Sequence, residues 1–430
     1  MKYSLINNRL FVENRNRYRQ HLKPGAICVF VSNDILPTNA DGARGFRQNS
    51  DLFYLSGVDQ EDTILVIFPD SKDGKMKEIL FVKETSELIA IWEGAKLTKE
   101  QATKTSGIET IYWTHEFEKI FKTLVFQSEF IYLNSNEHTR RYIETETAEM
   151  RFAKWMKDKF PLHKFERSAP IMHKIRSIKS TCEIELIQKA CDITEKGFRR
   201  LLSFVKPGVW EHEIEAELIH EFIRNRSQGF AYGPIIASGA NACVLHYVEN
   251  NKQCKAGDVL LLDTAAEYSN YASDLTRCIP VGGRFSKRQK NVYNAVLRVM
   301  KAATKMLKDG NTFEKYNKAV GELMTEELLK LRLIRISEVK KQNPAWPAYK
   351  KYFMHGTSHF LGLDVHDVGF FSESMRPGMV FTVEPGIYIP EEKLGIRLEN
   401  NILITTKGQI DLMKNIPLEA DEIEELMNAK

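Results

Sequence analysis

The sequence has little of what marks several function classes. Its 430 residues hold only six cysteines (Cys28, Cys182, Cys191, Cys243, Cys254, Cys278). None forms a Cys-x-x-Cys pair and most stand beside apolar residues, which argues against both a disulfide frame and a sulfur-rich zinc site. Small buried hydrophobes in a reducing compartment, and hence a cytoplasmic location, are expected. Long apolar runs are missing: the longest, such as residues 259–262, stop after a few positions, where a membrane helix needs about 20. The start, MKYSLINNRL, has no apolar core of signal-peptide length. An excess of one charge is missing as well. Lys and Arg number 61 against 57 Asp and Glu, leaving +4, which points neither to nucleic acid nor to a membrane surface. There is no glycine-rich phosphate loop. The nucleophile-elbow pattern fails because Phe360 follows Gly356-Thr357-Ser358-His359. His212-Glu213 and His220-Glu221 open like a helical zinc motif, but Ala216 and Arg224 occupy the fifth positions, so both read as helix surface.

What is present is a folded chain, 43% hydrophobic and 27% charged, long enough for two domains. Arg9, Arg15, Arg17, Arg19 and Lys23 cluster beside Leu10, Tyr18 and Leu22, and read as the solvated face of an amphipathic helix. Short apolar strands at 26–31, 63–68 and 78–82 interleave with helical patterns at 7–22, 115–126 and 136–159. A turn-like break near 168–170 sets the expected domains at 1–168 and 175–430. In the second, helices are expected from about 180 to 207, and at 211–227, 286–308 and 312–332. Residues 340–351 read as an irregular connector, and 353–406 as short strands cut by Gly and Pro. Segregated runs of helices and strands give an α+β class.

Three segments carry the chemistry. In DVLLLDTAAEYSNYASDLTRCIP (258–280) an apolar strand runs into Asp263, a turn follows around Tyr268-Ser269-Asn270-Tyr271, and a return strand carries Asp274. With any two-residue loop the paired positions sum to an odd number. Asp263 and Asp274 then share one face, opposed or diagonal. Two such carboxylates repel unless a cation lies between them. In MHGTSHFLGLDVHDVG, His355, His359 and His366 fall within twelve residues, and Gly356, Gly362 and Gly369 break any helix. Glu384 ends the strand MVFTVEPG, held extended by Pro385. Glu399 follows Arg397 on one face of GIRLENNILIT. Singly, these acids read as strand-end charges or a surface ion pair. Together, four carboxylates and an imidazole make an oxygen-rich set suited to Mn²⁺, Co²⁺ or Mg²⁺. Their charge balances two divalent ions, which together promote hydrolysis.

Here the sequence resembles the metal-dependent aminopeptidase P and prolidase family, whose catalytic domain is the pita-bread fold shared with creatinase and methionine aminopeptidases. The resemblance rests on LHYVEN (245–250), LLDTAAEYSNYASDLTR (261–277), HGTSHFLGLDVHDVG (355–369), VEPGIYI (383–389) and IRLEN (396–400), in family order. ADGARGFRQNSDLFYLSG (40–57) resembles the N-terminal domain of the aminopeptidase P branch. The resemblance implies a creatinase-like α/β domain followed by a pita-bread domain. It implies two divalent ions, manganese first among them, with Asp263 on one, Asp274 and Glu399 bridging, and His359 and Glu384 completing the other. It further implies Glu384 as general base, and His246 and His366 as donors to the substrate carbonyl and intermediate. His355 and Arg397 would hold that arrangement, and Tyr388 would line the pocket. Trp92, otherwise plain core, and Asp41 would stand near the substrate entrance. The implied substrates are peptides with proline at position two, and the implied assembly is a homo-oligomer, dimer or tetramer, joined through the N-terminal domain. Two departures are noted: Ser358, where many prolidases carry Gly, favours the aminopeptidase branch, and Asn270 replaces a common Gly. A prolidase limited to dipeptides and a metal-free binding module are the alternatives. Filled ligand positions weigh against the module.

Overall fold

The computed structural model describes residues 3–429. They form two compact units, residues 3–176 and the remainder from Ser177 onward. The first is built on one six-stranded sheet of β1 (Ala26–Val31), β2 (Ile64–Ile67), β3 (Glu78–Val82), β4 (Thr110–Trp113), β5 (Phe130–Leu133) and β6 (Lys164–Arg167), in the order β4-β3-β2-β1-β5-β6. β2 runs antiparallel to β1 and β3, and the other ladders are parallel. β1 is apolar along its whole length (AICVFV) and fully buried, as a central strand covered on both faces must be. The helices are α1 (Arg9–Arg19), α2 (Ser50–Ser56), α3 (Glu87–Glu93), α4 (Lys99–Ser106), α5 (Phe117–Val125), α6 (Ala148–Lys159) and α7 (Ala169–Ser177). Ile27, Val29, Phe81, Phe117, Phe121 and Ile131 are part of one core between sheet and helices.

Two expectations change here. The helix expected over 136–159 forms only as α6. In residues 136–147 the Asn136 side chain takes the His138 amide and closes a local turn, and Thr139, Ile143 and Thr145 are weak helix formers. Arg15 is not on a solvated face. It is fully buried, and its guanidinium donates to the carbonyls of Leu55 and Ser106, at the ends of α2 and α4, and to Glu78. A cation there satisfies carbonyls that two helix ends leave open.

The second unit opens with α8 (Thr181–Phe204), where Ser180 and Glu183 form a reciprocal capping box, and α9 (Glu211–Arg224). Then come β7 (Ile235–Ser238), β8 (Val259–Asp263), β9 (Glu267–Tyr268), β10 (Tyr271–Ala272) and β11 (Thr276–Pro280). Next are α10 (Lys287–Met306), α11 (Phe313–Lys330) and the short α12 (Ile336–Lys340). The chain closes with β12 (Val380–Val383), β13 (Gly386–Ile389), β14 (Leu394–Arg397), β15 (Asn400–Thr405), β16 (Gly408–Asp411) and α13 (Ala420–Asn428). The strands form small sheets, β11-β8-β7, β12-β15-β16, β13-β14 and the tip β10-β9. Residues 353–379, expected as short strands, contain none. That stretch runs beside β12 through a single bridge, Phe360 to Phe381, because its glycines and paired turns interrupt any ladder.

Candidate metal centre

The hairpin places the first two acids. Ser269 and Asn270 both adopt left-handed angles (φ 55° and 65°), so the two-residue loop is of the primed kind that matches strand twist. Tyr268 pairs with Tyr271, and the register continues to Asp263 opposite Thr276. Asp274 lies two positions from Thr276 and therefore shares a face with Asp263, diagonally. Its backbone is fixed by Asn401, whose amide side chain accepts from the Asp274 N–H at 3.0 Å and donates to its carbonyl at 2.7 Å.

The other ligand candidates arrive from the last third of the chain. His359 and Thr382 exchange backbone and hydroxyl hydrogen bonds, and the Glu384 amide donates to Thr357, so the histidine segment lies along β12 and ends beside Glu384. GIRLENNILIT does not form one strand. β14 pairs with β13 and β15 with β12, and Glu399 sits at the break. Arg397 and Glu399 still converge, through Thr276. The Arg397 Nε donates to the Thr276 hydroxyl at 3.2 Å, and that hydroxyl donates to Glu399 Oε2 at 2.7 Å. The ion partner of Arg397 is Asp263, at 2.6 Å.

Ligand atoms of Asp274, His359 and Glu399 lie within 4.8 Å of one another, all buried. His359 Nε2 is 3.3 Å from Asp274 Oδ2 and 3.5 Å from Glu384 Oε1, while its Nδ1 faces the Phe360 carbonyl at 3.0 Å. The network places the imidazole proton on Nδ1, leaving Nε2 aimed at two carboxylate oxygens. Glu399 Oε1 is buried with no hydrogen-bond partner among the described residues. Burial first, then Asp274, Glu384 and Asp263, hold the Glu399 carboxyl well above its ordinary value. Burial likewise pushes Glu384 up to about 7, with Asp274 and Asp263 adding to it against His359 and Arg397. Burial raises Asp263 too, opposed by Arg397. Burial lowers His359, but Asp274 and Glu384 outweigh it and raise it overall. Four crowded acids, an orphaned oxygen and an imidazole nitrogen facing them are the donor set that a divalent cation satisfies.

Beside this centre, Arg397 Nη1 donates to the Tyr388 hydroxyl at 2.8 Å, and that hydroxyl is 2.8 Å from His355 Nε2. His355 Nδ1 is 2.8 Å from the Gly356 carbonyl and 3.7 Å from Glu384 Oε2. Burial, then Arg397, lowers the His355 pKa to about 4, so this ring is neutral near pH 7. His366 is exposed, with its ring 4.4 Å from that of His359. His246 is exposed on the segment after β7, close enough for its charge to lower His355. Tyr388 is buried, its hydroxyl committed to Arg397 and His355. Trp92 and Asp41 belong to the first unit. Trp92 is 82% exposed on α3, which excludes a core role, and Asp41 is exposed in a loop.

Residues 185–406 match the model of metallopeptidase family M24, and residues 11–132 that of the aminopeptidase P N-terminal domain. The chain belongs to family M24. Among M24 relatives, the Xaa-Pro aminopeptidase of Haemophilus influenzae is 32% identical over 97% of each chain. The aminopeptidase PepP structure from Pseudomonas aeruginosa has a TM-score of 0.90 at 29% identity, covering 99% of this chain and 98% of its own. Zinc-substituted Escherichia coli aminopeptidase P in complex with product has a TM-score of 0.88 at 30% identity over 99% of both. The fold is thus an aminopeptidase P N-terminal domain followed by an M24 pita-bread domain, and the chain is an enzyme of the aminopeptidase P kind.

Sequence reasoning misses several residues of this M24 centre. The Tyr232 hydroxyl donates to Asp263 Oδ1 at 2.7 Å, from a loop 31 positions upstream with no local signal. Arg277, fully buried, donates to the carbonyls of Thr276, Glu399 and Pro417 and to the Asn400 side chain, bracing the backbone of Glu399. Thr276 lies within the quoted motif ending in LTR and Asn401 within the segment GIRLENNILIT, but only the three-dimensional pairing reveals their partners. Among the described residues no helix is long and apolar enough to cross a membrane.

Proposed function

We propose that this M24 enzyme hydrolyses the bond between an N-terminal residue and a penultimate proline, as a metal-dependent Xaa-Pro aminopeptidase. The observation that carries the reading is the buried Asp274, His359 and Glu399 cluster, with Asp263 and Glu384 beside it. The family and the named relatives give the substrate class its support. Asp263 would hold one cation, Asp274 and Glu399 would bridge two, and His359 with Glu384 would complete the second. Two divalent ions, Mn²⁺ first among candidates, would supply Lewis acidity and an activated bridging water.

The chain's own groups do the rest. Glu384 takes a proton at a carboxylate oxygen as general base and delivers it to the proline nitrogen that leaves. His246 and His366 donate hydrogen bonds to the substrate carbonyl oxygen as it gains charge. Neutral His355, oriented by the Arg397 to Tyr388 to His355 chain, holds its N–H side toward Glu384. Tyr388 serves by holding His355, and Trp92 and Asp41 are kept as candidates for substrate contact. The bond itself explains the need for a dedicated enzyme. An X–Pro amide has no N–H for a protease to grip, and its cis form lies within about 1 kcal/mol. A homo-oligomer and a cytoplasmic location complete the proposal.

The test is hydrolysis of X-Pro peptides of increasing length with Mn²⁺, Co²⁺ and Zn²⁺ compared. Cleavage of tripeptides and longer substrates is expected. Activity on dipeptides alone would make the protein a prolidase, and none with any ion would make it a binding module.

A further inference from the structure

Within LHYVEN the chemistry and the anchoring fall on different residues. His246 is exposed, so the backbone around it must fix its place. Tyr247 and Asn250 of the same segment are buried. Both lead to α9. Glu211, the first residue of that helix, is fully buried, and its carboxylate gathers donors from both ends of the segment. Oε1 accepts from the Ser238 amide at 2.8 Å, the Ser238 hydroxyl at 2.7 Å and the Asn241 side chain at 3.4 Å. Oε2 accepts from the Tyr247 hydroxyl at 2.7 Å and the Lys252 amide at 2.9 Å.

The remaining restraints act on the same segment. The Asn250 side chain accepts from the Ile236 amide at 3.0 Å and donates to Glu215 and the Pro234 carbonyl at 3.0 Å each. On the other side the segment presses on β14. A Cβ at Gly395 would stand 2.1 Å from the Ala242 carbonyl oxygen, so only glycine permits the approach. A buried carboxylate taking this many hydrogen bonds is costly unless every one is made, and that cost is what rigidifies the loop.

We propose that Glu211 and Tyr247 are positioning residues for His246, setting the imidazole against the substrate carbonyl without touching substrate. This rests on the role proposed for His246 above. A misplacement of about 1 Å costs on the order of 100-fold in rate. Loss of one donor to a charged acceptor inside the anchor is expected to fall below that.

The test is a double-mutant cycle in the metal-loaded full chain, read as kcat and KM on an X-Pro tripeptide. His246→Ala should lower kcat by roughly 100-fold. Tyr247→Phe should lower kcat by roughly 10-fold with KM little changed. In the His246→Ala background Tyr247→Phe should cost less than about twofold, because the group it positions is gone. An equal loss from Tyr247→Phe in both backgrounds, or no loss in the first, overturns the inference and leaves the reaction intact. No loss from His246→Ala overturns the His246 role and this inference with it. Melting temperature and bound metal are measured alongside. Should Tyr247→Phe fail to fold, Ser238→Ala, which deletes one donor while the Ser238 amide remains, carries the same cycle.

Discussion

The crowding of acids at the centre has a consequence measurable without substrate. Consider Glu384→Gln in protein stripped of metal by a chelator. In the metal-free wild type, burial and then Asp274 and Asp263 hold the Glu384 carboxyl at about 7, against an ordinary 4.5. A carboxyl raised in the folded state contributes fully below the unfolded value, and the contribution is lost as pH rises through the folded value. Below pH 4.5 Glu384 is neutral in both states, so Gln should match it. Above pH 7 the folded state carries a charge that Gln lacks. At 1.36 kcal/mol for each pKa unit, the 2.5-unit rise makes the variant more stable by up to about 3 kcal/mol at pH 8. The side chain is 19% exposed, so screening brings the figure down rather than up. Comparison with the variant is needed because His355 has the opposite sign. Burial lowers it to about 4, so its contribution is lost as pH falls from 6.5 through 4, and the wild-type profile alone would mix the two. The assay is thermal melting of both proteins in chelator from pH 4 to 8. The variant should gain roughly 6–12 °C at pH 8 and nothing at pH 4. A gap that does not change with pH, or a variant less stable at pH 8, would refute the crowding argument.

Other consequences follow from the same geometry. With metals restored, Glu384→Gln should lose at least 100-fold in turnover, checked by peptide hydrolysis; near-normal activity would remove the general base. Tyr232→Phe deletes the hydroxyl that orients Asp263, and a competition titration with Mn²⁺ should show 10- to 100-fold weaker binding, roughly the cost of losing a ligand's orienting partner. Lys179→Met removes the ammonium that faces Asp367 at 2.9 Å, where both side chains are 1% exposed, and breaking this buried pair should cost about 3–5 kcal/mol by denaturant unfolding. Replacing both with apolar residues should recover most of that loss. Equal destabilisation in the single and double variants would show that the pair is not the cause.

How much of this was legible depends on how local the cause was. The shared face of Asp263 and Asp274 follows from a two-residue loop and strand parity, both local, and the register carries the parity through to Thr276. The histidine segment stands out in the sequence by its composition but not by its structure. Its glycines bar a helix and invite a strand reading, yet only one bridge to β12 forms. Arg397 and Glu399 read as one face of one strand. They reach the same place across a break between two sheets because each is tied to Thr276 on β11. Arg15 shows the limit in the other direction. Helical spacing made it a surface cation, and nothing local indicates that two helix ends in later sequence would claim it.

These cases share one physical cause, which also separates ligands from supports. The ligand candidates are acids and histidines that violate the ordinary preference for exposure, so they stand out in a string of residues. The supports carry no motif that marks them. Tyr232, Thr276, Asn401 and Glu211 are residues any fold could use, and each matters only through a partner between 27 and 127 positions away. The centre therefore depends on a frame assembled by long-range pairing, around ligand candidates whose mutual repulsion works against that frame in the absence of cations. Metal should stabilise the second unit by an amount that grows with the logarithm of its affinity. It should do so more at pH 8 than at pH 5, since only ionised carboxylates bind it. A melting temperature that rises equally with Mn²⁺ at both values would mean the acids are already ionised without metal, and the repulsion inferred from their burial would be wrong.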